Sequence, residues 1–212
     1  AYIQSMDTTE TKVYSLFYFN AKDSKALKVV DTLSNSIPDK WTVSENGRIY
    51  FSDNDERLFF GTAYKPEAEP EDTLLDEEKV VVDVWSWKDK RLQPEQLVDL
   101  KDDLNKSYLA VYHIKDKMVI QLENELIEYI NVGDNGNGTY ALGGNYKPYQ
   151  KQTSWDSPAY FDLYIINVKT GKKTLFKEKL KAISRLSPKG EYIYWYDFTE
   201  KTWFAYSFKN KS

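Results

Sequence analysis

Near its end the chain sets two aromatic runs between short polar turns, a pattern that predicts a hairpin. Ser187-Pro188-Lys189-Gly190 reads as a tight turn, because Pro188 presets φ and Gly190 tolerates positive φ. Tyr192 to Tyr196 and Thr202 to Tyr206 follow as aromatic strands, since broad and branched side chains suit a pleated backbone. The pattern recurs upstream. Ser44-Glu45-Asn46-Gly47 precedes Ile49-Tyr50-Phe51, residues 53–56 form a polar turn, and Arg57 to Tyr64 form a second strand. A Gly/Asn/Asp cluster at 131–138 precedes a degenerate third copy at 139–145. Further strands are expected at 12–20, 26–33, 80–87, 107–114, 117–123, 161–168 and 172–179, and Pro94-Glu95-Gln96-Leu97 suits the first turn of a short helix.

Self-similarity at a period of roughly 40–50 residues, with about four strands per unit, is the sequence sign of a β-propeller. The expected fold is all-β, a partial β-propeller of about three four-stranded antiparallel blades. Blade parts fall at about 12–33, 41–130, 131–182 and 183–208 of a fragment spanning 1–212. The rival architecture is a generic antiparallel sandwich, which also shows short strands with turn signals. A propeller needs about four blades to close. The expectation is therefore that exposed blade edges pair with missing blades or, in a homodimer, with a second copy.

At 212 residues the chain is long enough for a sizeable core, and aromatics at 16% fit a strand-rich protein. The net charge of −4 leaves no basic excess for phosphates, which argues against nucleic acid as the main partner. Without Cys there is no disulfide, thiolate metal site or Cys nucleophile. No apolar run approaches the roughly 18 residues of a membrane span. The opening Ala1-Tyr2-Ile3, with neither initiator Met nor signal peptide, reads as the start of a processed or excised piece, or equally as a trimmed tag or mature N-terminus.

Candidate chemistry is sparse. His113, the single histidine, would have to serve any Ser-His-Asp triad. Its place at a strand end, before a Lys-Asp turn, favours a structural role. Residues 53–56 and 134–138 are oxygen-rich like calcium loops, but lack the full EF-hand pattern and are better explained as hairpin turns. Trp85 and Trp87 alternate to one side of their expected strand. They suit packing between blades, or stacking on a peptide or sugar. The acidic stretch from Glu67 to Glu78 reads as a solvated loop. No catalytic, cofactor-binding or metal-binding residue is assigned, and no cofactor is expected.

Several stretches resemble a family. Asp83-Val84-Trp85-Ser86-Trp87-Lys88-Asp89 with Leu92-Gln93-Pro94-Glu95-Gln96 looks like a Val-Trp-x-Trp-x-Asp … Leu-Gln-Pro-x-Gln segment of bacterial prolyl oligopeptidase-type serine peptidases. Tyr108 to Tyr112, Phe161-Asp162-Leu163-Tyr164 with Thr170-Gly171, and Leu186 to Tyr192 are similar to the same family, so the resemblance covers roughly 41–208. It implies an N-terminal propeller that gates and positions peptides for a following α/β-hydrolase domain. That domain is absent from this sequence, as is its Gly-x-Ser-x-Gly elbow, so no catalytic residue carries over. The resemblance also implies peptide substrates, the rest of the parent peptidase as partner, and a periplasmic or secreted location. The alternative function is a stand-alone propeller-type module that binds protein or ligand without an enzymatic partner. A third is a stand-alone hydrolase built on His113.

Overall fold

The computed structural model describes residues 1–8, 11–32, 34, 36–68, 82 and 84–211. Strand β6 (Arg57–Tyr64) shows how the sequence organises it. Side chains alternate across a strand, yet β6 is apolar on both faces. Leu58 and Phe60 enter one core with Leu16, Val30 and Val43. Phe59 enters a second with Val111, Leu122 and Ile166. A strand of this kind belongs to a sheet covered on both sides.

The first sheet has eight strands. β1 (Tyr2–Ser5), β2 (Tyr14–Tyr18) and β3 (Leu27–Val30) pair about β2. A single Tyr14–Val43 register joins them to β4 (Trp41–Val43). β4 and β5 (Tyr50–Phe51) both lie along β6, which pairs with β7 (Tyr108–His113), and β7 with β8 (Met118–Gln121). The second sheet is a four-stranded meander of β9 (Tyr129–Val132), β10 (Tyr140–Asn145), β11 (Phe161–Asn167) and β12 (Lys173–Leu180). The third is a three-stranded meander of β13 (Ala182–Leu186), β14 (Tyr192–Asp197) and β15 (Thr202–Ser207). Every pair is antiparallel.

Alternation then stacks the sheets. Ala141 and Ile166 of the second sheet face the first, while Leu142, Phe161 and Leu163 face Leu186, Ile193 and Trp195 of the third. Successive antiparallel meanders packed face to face make this an all-β, propeller-type arrangement.

Two local expectations change, and one holds. Val80 to Trp87, expected as a strand, lies partly outside the described residues, and 82 and 84–87 are not in a strand. A strand needs a ladder partner as well as β-prone side chains; β6 pairs directly with β7 across this excursion, and the described residues of the run are exposed and on no ladder. Helix α1 (Gln93–Leu104) opens with Pro94 in its first turn, as expected, and none of its residues is buried. The two Ser-x-x-Gly copies also do different work. Ser187 to Gly190 reverses the chain, with Gly190 at φ 65° and Leu186 paired to Ile193. Ser44 to Gly47 does not reverse it, because β4 and β5 run along the same side of β6. Gly47 is there for space: a Cβ on it would stand 2.3 Å from the Gly61 Cα.

Candidate functional site

His113 is 7% exposed, and its Nε2 lies 3.1 Å from the Val168 carbonyl oxygen, which sets Nε2–H as donor. Burial pushes its pKa below the ordinary imidazole value, against the opposing pull of that carbonyl. A neutral ring bonded between β7 and the turn after β11 ties the first two sheets together. It is occupied structurally and is poorly placed to serve as a general base.

The two oxygen-rich loops meet, and they meet as hairpin turns. Asn135 Nδ2 donates to Asp53 Oδ2 at 2.7 Å, Asp53 N–H donates to the Asn135 carbonyl at 3.2 Å, and Asn54 N–H donates to Asn137 Oδ1 at 3.1 Å. Beside them Arg57 Nη1 donates to the Gly136 and Gly138 carbonyls, each at 2.7 Å. Burial lowers the Arg57 pKa. The left-handed backbone at Asp134, Asn135 and Gly136 presents those carbonyls to the guanidinium. The cluster is a latch between the first and second sheets.

Sequence reasoning missed Glu123, which follows β8. It lines a pocket of about 420 Å³ with Arg48, Tyr50, Gly61, Ser107 and Ile130. Its Oε2 accepts the Leu109 N–H at 2.6 Å, and the Ile130 N–H also bonds it. Desolvation outweighs these donors and pushes its pKa up to about 7. No spacing around Leu122-Glu123-Asn124 signals this, because the burial comes from β7 and β9. The folded chain therefore holds a proton that the unfolded chain releases from about pH 4.5 upward, so stability falls as pH rises toward about 7. Glu123→Gln removes that slope. Between about pH 4 and pH 8 the variant should gain about 2–3 kcal/mol on the parent. Urea unfolding midpoints of both proteins at the two pH values measure it, and an unchanged difference would contradict the buried proton.

A larger cleft of about 560 Å³ opens between β9–β10 and β13, lined by Tyr129, Asn131, Tyr146, Ser184, Arg185 and Tyr194 among others. Aromatic walls with an amide, a hydroxyl and a guanidinium suit the edges of an extended peptide. Arg185 and Tyr194 also belong to the outer face of the third sheet, opposite the face that packs on the second. Cross-strand register puts Ile183, Tyr192, Tyr194, Tyr196 and Trp203 together there. Tyr192 is 47% and Trp203 63% exposed.

Trp85 and Trp87, expected between blades, are exposed instead. They wall a groove of about 380 Å³ with Lys90, Arg91, Lys151 and Trp155. Lys151 and Trp155 come from the 3-10 helix Lys147–Ser154 and its C-cap. Of the acidic stretch, only Glu67 and Ala68 are among the described residues, and both are exposed. Among the described residues no group of three or more His, Cys, Asp or Glu is placed to hold a metal, and no helix is long and apolar enough to cross a membrane.

No family model and no curated protein matches the chain. Among solved structures it is similar to a structure from a study of two prolyl endopeptidases, with 13% identity and a TM-score of 0.38, over 92% of this chain and 26% of that one. It is also similar to TolB from Acinetobacter baumannii, with 8% identity and a TM-score of 0.33, over 97% of this chain and 40% of that one. The chain thus spans well under half the length of either.

Proposed function

We propose that residues 1–212 are the non-catalytic propeller portion of a prolyl oligopeptidase-like serine peptidase, gating and positioning peptides for an α/β-hydrolase domain outside them. The carrying observation is the outer face of the third sheet. It gathers Ile183, Tyr192, Tyr194, Tyr196 and Trp203 on one side of the sheet, with Ile183, Tyr192 and Trp203 exposed. Exposed aromatic surface of this kind suits cover by a further sheet, and the exposed blade edges suit pairing with a second copy in a homodimer. The cleft beside β13 supplies a surface for a peptide on its way to a hydrolase site. The Trp85-Ser86-Trp87 … Leu92-Gln93-Pro94 resemblance supplies the family.

Chromogenic dipeptide and proline substrates test this. The purified chain should show no serine-dependent turnover, and turnover would overturn the reading. A Gly-x-Ser-x-Gly elbow in the same reading frame, with later Asp and His, is the expected complement. The second reading, a binding module with no enzymatic partner, is favoured by the exposed Trp groove. It gains if no such elbow exists.

A further inference from the structure

We propose that the groove walled by Trp85, Trp87 and Trp155 docks an acidic peptide segment bearing an aromatic or leucine anchor. The site stands apart from the cleft between the second and third sheets, and the inference holds whether or not a hydrolase domain is attached. Two stretches remote in sequence build it. Lys151 Nζ donates to the Trp87 carbonyl oxygen at 2.8 Å and so fixes the wall carrying Trp155 against the wall carrying Trp85 and Trp87. The three indoles are 65%, 84% and 74% exposed, so their faces are not consumed by the core. Large aromatic surface left open in one place marks an interaction site.

The charges around the indoles choose the occupant. Lys88 Nζ and Lys151 Nζ lie 5.7 and 5.9 Å from the Trp87 ring centroid. Lys90 adds a third ammonium and Asp89 an opposing charge. Arg91 is held by Asp99 and Asp103 of α1, so it shapes the rim more than it charges it. The groove is thus cationic on a protein whose net charge is −4. Its polar rim is mostly donors, which suits carboxylates better than the hydroxyls of a sugar. A nucleic acid strand needs an extended basic track, and this groove is short and set in an acidic protein. Carboxylates flanking an apolar side chain satisfy both the ammonium groups and the indole faces.

Calorimetric titration of the chain with a blocked Asp-Glu-Phe-Leu-Asp-Glu peptide tests the proposal. Its lysine-substituted counterpart and an oligothymidylate run beside it. Saturable binding of the acidic peptide alone is expected, weaker at high salt. Trp87→Ala and Lys151→Glu should each weaken it about tenfold or more. Trp203→Ala, on the third sheet, should leave it unchanged. Trp155→Ala replaces Trp87→Ala if the latter loses its unfolding transition. No binding at millimolar peptide, equal binding of the basic counterpart, or preference for the oligonucleotide would overturn the proposal. So would unchanged affinity in the groove variants, or loss of binding in Trp203→Ala.

Discussion

Gly61→Val should lower the stability of the protein by about 3–5 kcal/mol. Gly61 sits in β6 where the 44–49 segment crosses it, and its carbonyl accepts the Ser44 N–H at 2.9 Å. A Cβ on Gly61 would lie 2.5 Å from the Gly47 Cα and 3.1 Å from Ser107 Oγ. The serine hydroxyl can rotate away, but the backbone of Gly47 cannot without pulling β4 or β5 off the ladder. Gly144→Ala is the contrast. Its Cβ would meet the Tyr146 ring at 3.0 Å, a side chain that can give way, so the loss should be small. Urea midpoints measure both, and a Gly61→Val midpoint near that of the parent would refute the close approach. A domain of ordinary stability has about 5–15 kcal/mol in hand, so Gly61→Val should bring it near the edge of folding.

The second large effect is expected at Arg57. Removing its guanidinium strands the Gly136 and Gly138 carbonyls, each now held at 2.7 Å. Hydrogen bonds to a charged donor contribute about 1.5–3 kcal/mol each. Arg57→Ala should therefore cost about 3 kcal/mol, and Arg57→Lys, which loses the rigid fork, an intermediate amount. Chemical unfolding followed by Trp fluorescence reads the stability. Hydrogen exchange should show the new opening concentrated at the 134–138 turn and β10. Uniform loss of protection across the third sheet would show that Arg57 does not act as a local latch.

The sheets were legible because alternation and turn chemistry are local. Arg57 to Tyr64, Tyr108 to His113 and Phe161 to Asn167 carry their strand pattern in their own side chains. Gly190 shows its turn by the residues beside it. Val80 to Trp87 reads as a strand because β propensity reports fit to a pleated surface, whereas its described residues are on no ladder. Gly47 looked like Gly190 because a close approach to Gly61 leaves no mark in its own flanks. The strand-end position of His113 is legible in the sequence, but its bond to the Val168 carbonyl is not. Glu123, Lys151 and Trp155 were missed for a common reason: their surroundings come from segments far away in the chain.

The ladder between β6 and β7 runs unbroken from Arg57–His113 to Thr62–Tyr108, although more than forty residues separate the two strands in sequence. Helix α1, inside that stretch, contributes no buried residue. None of the other described residues between the two strands is buried either, so the described part of the excursion joins neither core. Selection can rewrite its aromatic and charged positions, lengthen it or exchange it while the hydrophobic layers stay as they are. Recognition and foldability are uncoupled in this part of the chain, and relatives would be free to differ there first.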